Sequence, residues 1–237
     1  MSNASNQQVL KVLVAQAAVE RLPDQPFFLG VGTGSTVDFF IDALAASSKP
    51  LVAAVSSSAR TSERLRAKGL GVMPVSELES PLALYVDGAD EVEPGLALTK
   101  GGGGALTQEK IVASAARRFI CIVDESKLVD RLGAFPIPLE VIESAIAPIE
   151  WAIKARFPEA QIARRADTRT DNGHPIMDIT GLRIEDPAES EDWFNGLPGV
   201  VCCGIFSKHR AHEVLVATAG GVRVMSRNDR NGQNGPG

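Results

Sequence analysis

The stretch that decides the fold is FFLGVGTGSTVDFFIDALAA, residues 27–46. Its first five residues, Phe27 to Val31, are an apolar run with the length of a buried strand. Glycines and hydroxyl residues follow, and apolar positions at helical spacing then predict a helix from Ser35 to about Ala46. A strand, a glycine-rich turn and a helix in this order are typical of an α/β protein.

The alternation of helices and strands continues on both sides of this stretch. Helical spacing from Val9 to Arg21 predicts a helix before it. The predicted elements after it are a strand at Leu51 to Val55, a helix at Arg60 to Lys68, a short strand near Val72, a strand at Leu82 to Val86, a helix at Thr107 to Ala116 and a strand at Phe119 to Val123. Such alternation favours a parallel sheet covered on both faces, with ligands at the carboxyl ends of its strands.

The character of the sequence changes after Gly133. Prolines punctuate a segment with two predicted helices and short strand-like runs, which predicts a small α+β domain. The runs are Gln161 to Arg164, Ile176 to Ile179 and Val200 to Cys203. Two final strands, Glu213 to Ala217 and Val222 to Met225, are joined by a hairpin-like turn, and the residues alone do not assign them to either domain.

The two ends of the chain are predicted to lie outside the fold. Ser2, Asn3 and Ala4 are typical of a cloning scar, and residues 227–237 are polar and rich in glycine and asparagine, which predicts disorder. No apolar run has the length of a membrane span, and the N-terminus lacks the pattern of a signal peptide. We therefore expect a cytoplasmic protein.

Composition excludes several classes of protein. The 237 residues are 44% hydrophobic, enough for a substantial core, and their net charge is −5 without any block of lysine and arginine. We therefore expect neither a nucleic acid nor a membrane as partner. The three cysteines, of which Cys202 and Cys203 are adjacent, do not form a disulfide framework and are expected to be reduced and buried. Three scattered histidines give no convincing metal cluster.

The first motif that carries chemistry is Gly30-Val-Gly-Thr-Gly-Ser-Thr36. Glycines let the backbone approach a ligand, Ser35 and Thr36 add hydroxyl donors, and the start of the following helix offers N–H groups and the positive end of its dipole. The motif lacks the Gly-Lys-Ser/Thr of a P-loop and the last glycine of a dinucleotide fingerprint. We interpret it as a phosphate-binding turn; the alternative is a tight turn capped by Ser35 or Thr36.

The second motif, Tyr85-Val-Asp-Gly-Ala-Asp-Glu91, follows a predicted strand. The carboxylates of Asp87, Asp90 and Glu91 repel one another, so they need a cation, sugar hydroxyls or strong local hydrogen bonds. A solvated acidic turn and a magnesium site are the alternatives.

The third motif is Lys100-Gly-Gly-Gly-Gly-Ala-Leu-Thr-Gln-Glu-Lys110. Four successive glycines cost backbone entropy unless the chain wraps closely around a ligand. Glu109 lies two residues into a helix that Thr107 is expected to cap, and it is positioned to act as a base. Lys100 is suited to stabilise an enediolate oxyanion. The alternative is a plain linker.

Two further lysines are candidates for binding an anion. Lys127 ends the Asp-Glu-Ser-Lys that follows the predicted strand at Phe119 to Val123, and Lys11 lies on the first predicted helix. Taken alone, each is better explained as a surface lysine.

Together the motifs closely resemble ribose-5-phosphate isomerase type A. Beyond the three motifs above, the resemblance extends to Ala54-Val-Ser-Ser-Ser58, Phe119 to Lys127, Leu132 to Val141, Thr170-Asp-Asn-Gly173 and Leu197 to Val201. It therefore covers nearly the whole chain between the two excluded ends.

The resemblance implies a Rossmann-like catalytic domain at residues 5–133 and 206–226, with the C-terminal strands returning to it, and an inserted α+β domain at 134–205. It implies interconversion of D-ribose 5-phosphate and D-ribulose 5-phosphate through an enediolate, a step of the non-oxidative pentose phosphate pathway. Neither a metal nor an organic cofactor is expected, and the implied assembly is a homodimer or a homotetramer.

The resemblance also assigns roles to residues. Glu109 would move the proton between C1 and C2, Lys100 would steady the enediolate, and Asp87 and Asp90 would contact the sugar and assist ring opening. The implied substrate-binding residues are Thr33, Gly34, Ser35, Thr36, Asp87, Gly88, Ala89, Asp90, Lys100, Gly101, Gly102, Gly103, Lys127 and Lys11. Two departures are a glycine at 104, where family members often have alanine, and a one-residue gap before Gly30 that the assignment of Lys11 requires.

Two other functions stay open on the sequence. A sugar-phosphate sensor of a bacterial repressor resembles this fold, although only one helix precedes Phe27, where such repressors carry a DNA-binding module. The second alternative function is that of a magnesium-dependent phosphatase, with Asp87 and Asp90 as its central residues.

Overall fold

The structure is a computed structural model and describes residues 3–226. In chain order its helices are α1 (Asn3–Glu20), α2 (Ser35–Ala45), α3 (Ala59–Ala67), α4 (Leu106–Ser114), α5 (Ile146–Arg156) and α6 (Pro187–Asn195). The strands are β1 (Phe27–Val31), β2 (Leu51–Ser56), β3 (Leu84–Asp87), β4 (Glu91–Val92), β5 (Leu98–Thr99), β6 (Phe119–Asp124), β7 (Ile137–Val141), β8 (Gln161–Arg164), β9 (Ile176–Thr180), β10 (Val200–Cys203), β11 (Ile205–Phe206), β12 (Glu213–Thr218) and β13 (Gly221–Ser226).

The described chain divides into two compact units. The first comprises residues up to 88, 112–127 and those from 211 onward, and the second comprises residues 89–111 and 128–210. Residues 89–111 group with the second unit because β4 and β5 pair with each other and β5 pairs with β11. The predicted boundaries at 133/134 and 205/206 separate a catalytic domain from an inserted domain. That functional division stays a prediction.

The first unit contains a six-stranded sheet in the order β13-β12-β6-β3-β1-β2. Every neighbouring pair is parallel except β12 and β13, which form an antiparallel hairpin at the edge. The C-terminal strands β12 and β13 thus belong to the sheet of the first unit. The core of this unit includes Leu29, Phe40, Ile120 and Leu215, all without solvent exposure. The predicted parallel α/β sheet is confirmed.

The second unit is built from antiparallel sheets and two further helices. One sheet has the order β10-β7-β9-β8 and the other the order β11-β5-β4. Apolar residues of β7, α5, β9 and α6 fill its core, among them Leu139, Ile153, Ile179 and Phe194. The predicted α+β character of the later part of the chain agrees with this unit.

Several predicted elements need correction. Strand β7 was not predicted because Pro138 argues against a paired strand; it forms because β10 ends at Cys203, opposite Leu139, so Pro138 lies beyond the paired part of β10. The expected strand near Val72 is a single bridge to Ala54. Strands β4, β5 and β11 have only two residues each and left no periodic signal.

The predicted ends differ as well. Helix α1 begins at Asn3, so its backbone includes Asn3 and Ala4, which the cloning-scar interpretation had left outside the fold. Ser2 and residues 227–237 lie outside the described residues. Among the helices of residues 3–226, none combines the length and the apolar character needed to cross a bilayer.

Candidate active site

The glycine-rich turn connects the carboxyl end of β1 to the start of α2. Gly34 is the N-cap of α2 with a φ of 116°, and it has no side chain with which to cap the helix. The alternative of a turn capped by Ser35 or Thr36 is therefore wrong, since both residues lie inside the first turn. Thr33 is half-buried, whereas Gly34 and Ser35 are exposed. The first turn of α2 thus presents backbone N–H groups and hydroxyls at an open surface.

Two side chains from other elements reach this turn. Lys11 of α1 donates from Nζ to Oγ of Ser35 at 2.9 Å, and Ser58 donates to Oγ1 of Thr33 at 3.2 Å. Lys127 is half-exposed in a short 3₁₀ turn after β6. Because β1, β3 and β6 are parallel neighbours, the turn, Asp87 and the residues after Asp124 lie at the same edge of the sheet.

Asp87 ends β3 and organises the turn from beneath. Its side chain is fully buried and accepts hydrogen bonds from the backbone N–H groups of Thr33 at 3.1 Å and Gly88 at 2.7 Å. The hydroxyl of Tyr85 donates to its other oxygen. These donors satisfy the polar atoms of a buried side chain. A Cβ at Gly32 would lie 1.8 Å from Cγ of Asp87, so glycine is required where the turn crosses this carboxylate.

Replacing Gly32 by alanine is expected to lower the free energy of unfolding by about 3 kcal/mol, because the new methyl group forces Asp87 or the turn to move. Gly71→Ala is the matched control, since the nearest atom to its added Cβ is 3.5 Å away. Urea denaturation of both variants measures the effect. Equal midpoints for the two would contradict the close packing of the turn on Asp87.

The glycine loop of the third motif belongs to the second unit and is held from several directions. The N–H of Gly102 donates to Oδ2 of Asp90 at 2.8 Å. Arg165 donates from Nη1 to the carbonyls of Gly101 at 3.0 Å and Gly102 at 3.1 Å. The guanidinium is itself fixed by Asp178, which accepts from Nε and Nη2 at 2.8 and 2.6 Å. The loop is therefore an ordered turn, and sequence reasoning missed the contribution of Arg165.

Gly104 closes this turn. Its N–H donates to the carbonyl of Gly101 at 2.9 Å, and its φ is +83°. That is the left-handed region, which an alanine adopts only with strain. The glycine at 104 thus suits this conformation.

Lys100 and Glu109 form a buried ion pair in the second unit. Lys100 precedes the glycine loop and is 2% exposed, and Glu109 lies in the first turn of α4 and is 3% exposed. Nζ and Oε2 are 3.4 Å apart. The ammonium also lies over the ring of Phe206, 5.6 Å from its centroid. A carboxylate and an ammonium held so close away from water are suited to abstract a proton and to stabilise the resulting oxyanion.

Known proteins with the same sequence pattern and fold identify the family. The sequence model of ribose 5-phosphate isomerase A (phosphoriboisomerase A) matches residues 53–221. A ribose-5-phosphate isomerase A of Leptothrix cholodnii is 50% identical over 221 residues, which cover 93% of this chain and 99% of that protein. This chain belongs to the ribose 5-phosphate isomerase A family.

Solved structures of the isomerase family agree with this assignment. Ribose 5-phosphate isomerase A from Neisseria gonorrhoeae superposes with a TM-score of 0.89 at 42% identity, covering 93% of this chain and 97% of that one. A D-ribose-5-phosphate isomerase in complex with phospho-erythronic acid has a TM-score of 0.87 at 35% identity, covering 93% and 99%.

Glu91, the last carboxylate of the second isomerase motif, has local hydrogen-bond donors, which is one of the possibilities the sequence left open. Glu91 turns into the second unit and is 2% exposed. It accepts hydrogen bonds from Thr99 at 2.7 Å and from the N–H groups of Gly133 at 2.9 Å and Phe135 at 2.6 Å. Protein donors thus contact both oxygens of this buried side chain. Within residues 3–226, no group of three or more metal-ligating side chains is placed to hold an ion.

The remaining substrate-binding residues implied by the isomerase resemblance follow from chain position. Gly88 and Ala89 link Asp87 to Asp90 and are half-buried, and Gly103 is an exposed member of the glycine loop. The first-motif residues, Asp87, Lys11 and Lys127 belong to the first unit. Asp90, Lys100, the loop glycines and Glu109 belong to the second.

Thr107 does not cap the isomerase helix α4. The helix begins at Leu106, and Thr107 lies inside its first turn. Its hydroxyl donates to the buried carboxylate of Glu140 on β7 at 2.5 Å. Sequence reasoning missed Glu140, because a lone glutamate in an apolar strand gives no sign of its partners.

The three cysteines and His212 of this isomerase-family chain have no proposed role in the reaction. All three cysteines are free and buried, as predicted. Burial raises the pKa of the Cys203 thiol to about 12, which makes it a poor nucleophile. His212 accepts a hydrogen bond from the N–H of Phe119 at 3.1 Å, which places this histidine in a backbone contact.

Proposed function

We propose that this chain interconverts D-ribose 5-phosphate and D-ribulose 5-phosphate through an enediolate, with Glu109 moving the proton. The observation that carries the proposal is the buried pair of Lys100 and Glu109, 3.4 Å apart. Family membership supports the same activity.

The roles of the pair follow from the chemistry of the reaction. In the open-chain aldose, Glu109 removes the proton from C2 while the electrons of that bond move onto the C1 carbonyl oxygen. The resulting enediolate carries a negative charge, and the Lys100 ammonium stabilises it. Glu109 then returns the proton to C1, while the proton of the C2 hydroxyl moves to the C1 oxygen. C2 thereby becomes the ketone of ribulose 5-phosphate and C1 carries a hydroxyl. Burial strengthens the attraction between the ammonium and the developing charge.

We propose that the glycine-rich turn holds the substrate phosphate. Thr33, Gly34, Ser35 and Thr36 offer backbone and hydroxyl donors at the start of α2, and Lys11 already reaches Ser35. Lys127 adds a second cation. Binding a phosphate remote from the reacting carbons helps to hold them in place for proton transfer.

We propose that Asp87 and Asp90 contact the sugar. Their carboxylates accept hydrogen bonds from sugar hydroxyls and assist ring opening. Gly88, Ala89 and the loop residues Gly101, Gly102 and Gly103 supply backbone contacts along the sugar. The fixed loop supports this role, because Arg165 and Asp90 hold its carbonyl and N–H groups in place.

The setting of the enzyme is proposed on the resemblance and on family membership. We propose a homodimer or homotetramer that acts in the cytoplasm on the non-oxidative pentose phosphate pathway. We expect the reaction to need neither metal nor organic cofactor, because a carboxylate base and a lysine suffice for the proton transfer.

The test is an assay of the purified protein with ribose 5-phosphate in buffer treated with a chelator. We expect ketose to form at an undiminished rate. Release of inorganic phosphate that stops in chelator would support the phosphatase instead. Binding of ribose 5-phosphate by calorimetry without ketose formation would support the sugar-phosphate sensor.

A further inference from the structure

A second buried carboxylate, that of Glu140, contacts the helix of the proposed base. It lies far along the chain from the proposed catalytic residues. Glu140, the last residue but one of β7, has no solvent exposure. An ionised carboxylate in such a place is costly unless donors surround it. The donors that surround Glu140 therefore decide whether it can stay ionised.

One oxygen of Glu140 is bound to α4. Oε2 accepts the hydroxyl hydrogen of Thr107 at 2.5 Å. Thr107 precedes Glu109 by two residues in the same first helical turn. Since the amide N–H of Glu109 donates to the carbonyl of Ala105 at 2.9 Å, the backbone around Thr107 and that of Glu109 form one hydrogen-bonded turn.

The other oxygen of Glu140 is bound to the segment 170–174. Oε1 accepts from Oγ1 of Thr170 and from Nδ2 of Asn172, both at 3.0 Å, and lies 2.8 Å from Nδ1 of His174. Asn172 in turn accepts a hydrogen bond from Nε2 of Gln108 at 2.7 Å, which links the same segment to α4 a second time.

The carboxylate is therefore held in one orientation. Burial acts to raise the pKa of Glu140, but the hydrogen bonds from Thr107, Asn172, His174 and Thr170 outweigh it and leave the pKa below its ordinary value. Glu140 stays an ionised acceptor at neutral pH, and its hydrogen bond to Thr107 is of the strong, charge-assisted kind.

We propose that Glu140 is a positioning residue for the reaction, acting through Thr107 to fix the first turn of α4 and with it the carboxylate of Glu109. The inference rests on the proposed function of Glu109 as base. A base that must reach two adjacent carbons has to be held within a fraction of an ångström, and a displacement of about 1 Å costs on the order of 100-fold in rate.

The two threonines of this cluster provide a matched pair for the test. Thr107→Val and Thr170→Val each delete one hydroxyl that donates to Glu140, at opposite oxygens, and each preserves the shape of the side chain. The hydroxyl of Thr170 also accepts hydrogen bonds from the N–H groups of Asn172 and His174, both at 3.2 Å, so we expect the melting temperature to fall at least as much in Thr170→Val as in Thr107→Val. We expect kcat to fall at least about 10-fold in Thr107→Val with KM unchanged, and to stay within about 3-fold of wild type in Thr170→Val. Thr107→Ser, which retains the hydroxyl, is expected to recover most of kcat.

Equal kcat values for the two valine variants, or no recovery in Thr107→Ser, would reduce Glu140 to a stabilising residue and overturn the inference. If a valine variant does not fold, Thr107→Ala and Thr170→Ala make the same comparison without an added methyl group. A wild type without isomerase activity would refute the proposed function and the inference together, whereas an active wild type with equal variants would refute the inference alone.

Discussion

Replacing Glu109 by glutamine is expected to lower kcat by roughly 10²- to 10⁴-fold, the range in which general base catalysis contributes. Glutamine has nearly the shape of glutamate but cannot take up a proton from C2. Because Glu109 is 3% exposed, water has little access to replace it as a base. The variant is expected to bind ribose 5-phosphate with an affinity close to that of wild type, since the proposed phosphate anchors are unchanged. Initial rates of ketose formation and calorimetric titration measure the two quantities.

Glu143→Gln is the control for the Glu109 variant. Glu143 belongs to the same unit, and its side chain is about half-exposed and paired with Arg164 and Arg169. Exposed pairs of this kind contribute little to stability, so kcat and the melting temperature are expected to stay near those of wild type. Turnover within about threefold of wild type in Glu109→Gln would refute the role of Glu109 as base.

The beginning of the fold was predictable because local signals agree with one another. The apolar run at Phe27 to Val31, the glycines after it and the helical spacing that follows each favour the same unit. The observed β1 has the predicted bounds, and α2 ends one residue before the predicted end. The candidate base and its lysine were likewise predicted from one continuous motif, in which the residues lie near each other in sequence.

Strand β7 shows where such reasoning fails. A proline in a short apolar run argues against a central strand, and the fact that β10 ends before Pro138 is a property of the folded sheet alone. The strands β4, β5 and β11 were missed because two residues show no periodicity, and β5 and β11 pair across about a hundred positions, as in Thr99 with Ile205.

The residues that hold the candidate site in place could not be predicted from the sequence. Arg165 lies in a run with Arg164 that suggests only a charged surface, yet it fixes the glycine loop through two carbonyls. Glu140 accepts hydrogen bonds from two segments far apart in sequence, Thr107 on α4 and the residues 170–174. A motif identifies residues with an evident chemical role, whereas a residue that positions another is recognised only by its contacts.

Two lysines beside Phe206, one buried and one half-buried, allow an effect of charge on catalysis to be separated from an effect of charge on stability. Lys100 and Lys110 both lie over the ring of Phe206, with Nζ 5.6 and 4.6 Å from its centroid. Each pairs with a buried glutamate, Lys100 with Glu109 at 3.4 Å and Lys110 with Glu191 at 2.6 Å. Only Lys100 has a proposed role in the reaction.

Lys100→Met is expected to lower kcat by roughly 10²- to 10³-fold, because the enediolate loses the ammonium that stabilises it. Lys110→Met is expected to lower the free energy of unfolding by about 3 kcal/mol, since Glu191 stays buried without its cation, while kcat stays within about fivefold of wild type. Urea denaturation and initial rates on the folded proteins measure both. A similar fall in kcat for the two variants would show that catalysis depends on either cation near Phe206. It would refute a specific role for Lys100. Loss of kcat in Lys100→Met alone would assign the oxyanion to its ammonium.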